Sequence, residues 1–149
     1  MSETMWIKSH VELLLQREWD VGRVATDPDG DFPFRAGTAA CWVSVSDGEP
    51  PMVHVFAHAA CGLKPTLKVL RELNEIQNRA FSARVSLAEG CVLVSQVLSP
   101  IGLTPPVLAQ AMHAVGGVAQ DIGPLLAAMF DGSTPYPVEV PEPEDEDAA

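Results

Sequence analysis

No lysine or arginine follows Arg84. The 65 residues beyond it carry nine carboxylates and no basic group, and the whole chain sets 20 acidic side chains against 9 basic ones for a net charge of -11. Contact with phosphates needs clustered cations that release counterions, so this scarcity argues against nucleic acid and anionic membrane as partners. Cysteine is scarce too. Cys41, Cys61 and Cys91 are the only three, no two form a CxxC pair, and one is left over if two are joined. Reduced, buried thiols are therefore the expectation. The least charged stretch is interrupted by His113, Gly116, Gly117, Asp121 and Pro124 within the roughly 20 apolar residues that a bilayer span requires. Met1 to His10 lack the basic start and apolar core of a secretory signal, and a soluble, cytoplasmic protein is expected. P-loop, dinucleotide fingerprint, GxSxG elbow and HExxH are all missing, so the sequence offers neither an enzyme signature nor a cofactor site.

What is present is one domain's worth of alternating elements. Trp6, Ile7, Val11, Leu14 and Leu15 recur at spacings of three and four, which predicts a helix from Glu3 to Gln16 capped by Ser2 or Thr4. Asp27 to Asp31 is a turn cluster around Gly30. Extended segments follow at Phe32 to Gly37, Ala39 to Ser46 and Met52 to His58. In the third, Val53, Val55 and Ala57 share one face, while His54, Phe56 and His58 share the other. Pro65 is placed at the first position of a second helix with Leu67, Leu70, Leu73 and Ile76 as its apolar side. Ser82 to Leu87 and Cys91 to Leu98, joined by Ala88, Glu89 and Gly90, form a hairpin.

The last helix is the unusual one. It runs from Thr104 to Asp131 with a stripe of Leu108, Ala111, Met112, Val115, Ala119, Ile122, Leu126 and Met129, and a kink or restart is expected at Gly123 and Pro124. Its opposite side, with Gln110, His113, Gly117, Gln120, Asp121, Pro124 and Ala128, is small and neutral more than polar. A helix facing water normally shows it charge, so this side is expected to meet polypeptide, whether more of the fold, a second copy or a bound client. From residue 133 the composition turns to Pro, Glu and Asp, which predicts a domain over 1-132 and a disordered acidic tail over 133-149. Within that tail Tyr136, Val138 and Val140 alternate, and could add as a strand to a sheet edge in imitation of a client.

Three constellations resemble chemical sites. Asp27, Asp29 and Asp31 fail the calcium-loop pattern, because Phe32 and Thr38 stand where it requires Gly and Glu. His54, His58 and Cys61 have metal-ligand chemistry, but strand rise separates the two histidines by about 13 Å, too far to share an ion. No metal is expected. Cys61, ahead of Gly62 and near a helix start, is the one thiol with a setting that could lower its pKa, and a structural role is the expectation there as well.

The order helix, three strands, helix, hairpin, long helix resembles the YbjN family of bacterial sensory transduction regulators, whose fold is similar to that of type III secretion chaperones. The resemblance is carried by Asp27-Pro28-Asp29-Gly30-Asp31, by Leu73-Asn74-Glu75-Ile76, by the hairpin from Ala83-Arg84-Val85 to Cys91-Val92-Leu93-Val94, and by Leu103-Thr104-Pro105. It covers about residues 5 to 131 and departs from the family pattern at Gln77-Asn78, where a single Asn is expected. It implies an α+β domain with a five-stranded, largely antiparallel sheet, chaperone-like binding of a protein or peptide client, and no catalytic residues.

The expected function is accordingly a non-enzymatic peptide-binding or regulatory adaptor, present as a homodimer. Gln110, His113, Gly117, Gln120, His54, Phe56, Tyr136 and Val138 are its candidate contact residues. The alternative is a small-ligand sensor in which Trp6, Trp19, Trp42 and Phe56 line one pocket.

Overall fold

The computed structural model describes residues 2–80 and 82–139. Its elements follow in the order α1 (Glu3–Glu18), β1 (Phe32–Ala36), β2 (Ala39–Val45), β3 (Val53–Cys61), α2 (Leu67–Arg79), β4 (Arg84–Ala88), β5 (Cys91–Leu98) and α3 (Pro105–Met129). This is the expected α+β order, and the sheet is five-stranded and antiparallel throughout, arranged β1-β2-β3-β5-β4. The hairpin β4–β5 thus turns back so that its second strand, not its first, pairs with β3.

Period-two alternation decides which face the helices cover. Cys41, Val43, Val53, Val55, Ala57, Val92 and Val94 are buried and belong to one core with Ile7, Val11, Leu14 and Leu15 of α1, Val69, Leu73 and Ile76 of α2, and Leu108, Val115, Ala119 and Leu126 of α3. The intervening residues Trp42, Ser44, His54, Phe56, His58, Leu93 and Ser95 are only half-buried. Among the described residues no helix packs on that second sheet face.

Helix ends explain two local differences from expectation. Ser2 caps α1, its hydroxyl accepting from the Met5 amide at 3.2 Å. For α2 the cap is Thr66, whose hydroxyl accepts from Val69 N–H at 3.3 Å, so Pro65 lies outside the helix and not at its first position. The shift rotates the apolar side: Val69, Leu73 and Ile76 go inward, while Leu67 and Leu70, expected in the core, are 63% and 46% exposed. Gln77, where the family pattern is interrupted, ties α2 to β4. Its side-chain amide donates to the Ala83 carbonyl at 3.1 Å, and its oxygen accepts from Val85 N–H at 2.6 Å.

α3 runs unbroken through Pro124, so no restart occurs there. Gly123 explains the continuity. It lies against the backbone carbonyl of Ala59 in β3, so close that a Cβ at this position would collide with it. Burial of Ala119 and Leu126 on either side holds the helix on the sheet despite the hydrogen bond that Pro124 cannot make.

The one free thiol belongs to Cys41, which is 1% exposed. Desolvation pushes its pKa up to about 11. The neutral form is favoured in the fold, so the contribution to stability is complete below pH 9 and is lost as pH rises toward 11, to about 3 kcal/mol for a two-unit shift. Native protein at pH 8 is expected to leave Cys41 unalkylated by iodoacetamide, with labelling appearing only on unfolding. Rapid native labelling would contradict this burial.

Candidate functional site

Where α3 passes the edge of the sheet, its neutral side does not close onto the strands. A groove of about 340 Å³ remains, walled by Trp19 at the end of α1, Phe34, Arg35 and Ala36 of β1, and Met112, His113, Gly116, Gly117 and Gln120 of α3. Small residues make the opening. Gly116 lets Ala36 approach, since a Cβ there would stand 2.9 Å from the Ala36 methyl, whereas Gly117 has nothing within 4 Å of the same position. One residue closes the floor and the next leaves space. Trp19 and Phe34, with ring centroids 6.2 Å apart, supply an aromatic wall. β1 is one of the two edge strands, the other being β4, and no described strand pairs with its outer side. The groove, which Glu18 also lines, therefore joins a trough of mixed apolar and polar character to an unpaired edge, and an extended peptide uses such an edge for main-chain bonds and such a trough for its side chains.

Of the residues singled out in the sequence, His113, Gly117 and Gln120 line this groove, and Gln110 lies exposed on the same helix. All four are exposed among the described residues. His54 and Phe56 are elsewhere, on the open sheet face. There Phe56 stacks with Trp42 at 5.3 Å, and Trp42 meets His58 edge-on at 5.0 Å. Desolvation lowers the His58 pKa. The four aromatics proposed for a sensor pocket do not converge: Trp6 is exposed on α1 beside His10, Trp19 is in the groove, and Trp42 and Phe56 are on the open face.

Phe34, Arg35 and Met112 were not identified from the sequence as site residues. The alternation in β1 could have placed Phe34 and Ala36 on one face, but only the approach of α3 makes that face a groove wall.

The described part of the segment after α3 makes contacts back to the fold. Ser133 exchanges two backbone hydrogen bonds with Cys61, at 2.8 and 2.9 Å, and Tyr136 N–H donates to Thr38 at 3.0 Å. Arg35 stacks over the Tyr136 ring at 4.3 Å, and its guanidinium pairs with Glu139 at 3.6 Å. Ser133 is thus tied to the end of β3, and Tyr136 and Glu139 to Arg35, one of the residues that line the groove. The isolated bridge is made by Ser133 with Cys61. Val138 is exposed and Val140 lies outside the described residues.

The thiols depart from expectation as well. Cys61 and Cys91 form a disulfide between β3 and β5. Strands thirty residues apart in sequence become neighbours only through the sheet, so spacing alone could not pair them. His58 lies beside them, giving the one group of three potential metal-binding side chains among the described residues.

A one-sided antiparallel sheet with a trough along one free edge defines a polypeptide-binding module. The chain belongs to the family of type III secretion (YopN, CesT) and YbjN peptide-binding chaperones, described as TY-Chap1, whose pattern matches residues 5–138. It is a peptide-binding, chaperone-like protein. Solved structures with the same fold include the ExsC-ExsE complex, at a TM-score of 0.63 and 14% identity, covering 85% of this chain and 97% of that one. Another is the HopA1-SchA chaperone-effector complex, at a TM-score of 0.60 and 14% identity, covering 79% and 93%. Among curated protein sequences none gives a significant match. No described helix is long and apolar enough to cross a membrane.

Proposed function

We propose that this protein is a non-enzymatic, cytoplasmic holder of an extended polypeptide segment, which it seats in the groove between β1 and α3. The observation that carries this reading is the paired glycine step: Gly116 brings α3 down onto Ala36 while Gly117 keeps the space above it empty beside Trp19 and Phe34. A client main chain would pair with the outer side of β1, and its apolar side chains would enter the trough past His113 and Gln120. Tyr136 and Val138 belong to a segment of the chain itself, anchored through Arg35, that occupies the rim a client would use. His54 and Phe56, on the uncovered sheet face, are assigned to contact between two copies in a homodimer. The carboxylates of the C-terminal part favour a neutral or basic client and keep loaded complexes apart.

Filling the trough tests this. Gly117→Trp adds bulk where no neighbour stands within 4 Å. It is expected to weaken binding of a fluorescent peptide, selected on a random peptide array against the parent protein, by more than about tenfold, the loss of a buried anchor. The thermal midpoint should be unchanged, and light scattering should give a dimer for both proteins. Equal peptide affinity with the trough filled would remove the groove from the function.

A further inference from the structure

The Cys61 end of the sheet carries chemistry that peptide holding does not use. Cys61 directs its N–H and carbonyl to Ser133, so toward Cys91 it is the non-hydrogen-bonded member of an antiparallel pair, the kind whose side chains approach most closely. The Cα atoms are 4.0 Å apart. His58 joins them because of a defect in the strand. Simple alternation would put His58 and Cys61 on opposite faces. The register slips between His58 and Ala60, both Ala59 and Ala60 face the core, and Cys61 emerges on the same open face as His58. This is the way a β-bulge re-aims a side chain. The imidazole nitrogen and the two sulfurs then lie within 4.8 Å of one another, none of the three residues fully buried.

We propose that His58, Cys61 and Cys91 form a redox-gated site for a soft, tetrahedral divalent ion, with zinc as its occupant in the reduced protein. In the oxidised state both sulfurs are spent on each other. An external dithiol opens the bond, delivering two electrons and two protons to the Cys61 and Cys91 sulfurs and itself becoming a disulfide. The thiols release those protons to solvent as their thiolates bind the ion, and His58 donates a ring-nitrogen lone pair. Two thiolates neutralise the dication, and water completes the tetrahedron. Tetrahedral zinc with thiolate and imidazole ligands places its donors roughly 3.5–3.8 Å apart, a spacing these three side chains reach once the sulfurs are free. Soft sulfur selects zinc over magnesium or calcium. Trp42, edge-on to His58 at 5.0 Å, walls one side of the site.

The test uses the full chain, reduced with dithiothreitol and desalted without air, then titrated with Co²⁺ and displaced by Zn²⁺. One Co²⁺ per chain with sulfur-to-cobalt charge-transfer absorption is expected, lost on addition of one equivalent of Zn²⁺. The air-oxidised chain should bind none until reduced. His58→Ala should weaken Zn²⁺ by well over ~10-fold, more than the loss of an outer-shell partner costs, and Cys91→Ser should abolish the cobalt spectrum. Cys41→Ser and His10→Ala should behave as the parent. In the reduced parent, bound Zn²⁺ should protect Cys61 and Cys91 from alkylation, read by mass spectrometry, which removes any dependence on a variant that folds poorly. A reduced chain with all three thiols free that takes up no ion, equal uptake by the oxidised chain, or binding indifferent to His58 would each overturn the proposal.

Discussion

Gly123→Ala is expected to destabilise the protein by about 3 kcal/mol, at the upper end of what an added methyl costs in a packed interior. The obstacle is the Ala59 carbonyl, which belongs to the backbone of the central strand β3 and cannot rotate aside. Either α3 lifts from the sheet or the bulge at Ala59 moves, and both disturb buried neighbours such as Ala119 and Leu126. Gly117→Ala, six residues earlier in the same helix, meets nothing within 4 Å. It should be neutral or stabilising by up to about 1 kcal/mol, since alanine is the better helix former. Urea midpoints of the two variants check the contrast. Coincident midpoints would show that α3 does not approach β3 as closely as the packing here requires.

The second large effect concerns the cross-link. Oxidised parent should exceed the Cys61→Ser, Cys91→Ser double variant in unfolding free energy by about 3–4 kcal/mol, the chain-entropy expectation for a loop closed across a sequence separation of 30. Dithiothreitol with a chelator should bring the parent down to the level of the variant. Cys41→Ser, which leaves the bridge intact, should keep the full dependence on reductant. If oxidised and reduced parent unfold at the same denaturant concentration, the bridge contributes nothing to the fold.

Both predictions rest on contacts that periodicity does not encode. The α1 repeat, the alternation of Val53, Val55 and Ala57 against His54, Phe56 and His58, and the hairpin signal at Ala88 to Gly90 are all visible within a few residues, and the structure keeps each of them except for Trp6, which α1 leaves exposed. The neutrality of the His113, Gly117 and Gln120 side is equally local, which is why half of the groove was legible. Its other half comes from β1, far away in sequence, brought there by the way α3 packs on the sheet. Helix α2 shows the same limit on a smaller scale. Leu67, Leu70, Leu73 and Ile76 have helical spacing, but so do Val69, Leu73 and Ile76, and only docking against β4 decides which set is buried.

By itself the sequence determined the α+β order of elements, the scarcity of cations and the one helix whose second side is small and almost free of charge, because each follows from side-chain type at short spacing. Tertiary structure alone decided the placing of β5 between β3 and β4, the close seat of Gly123, the anchoring of Ser133 and Tyr136, and the meeting of His58 with Cys61 and Cys91. These depend on a single unpaired residue at Ala59 and on strands distant in sequence. A one-residue slip reverses which side of a strand every later side chain occupies, and local pattern leaves no mark of it.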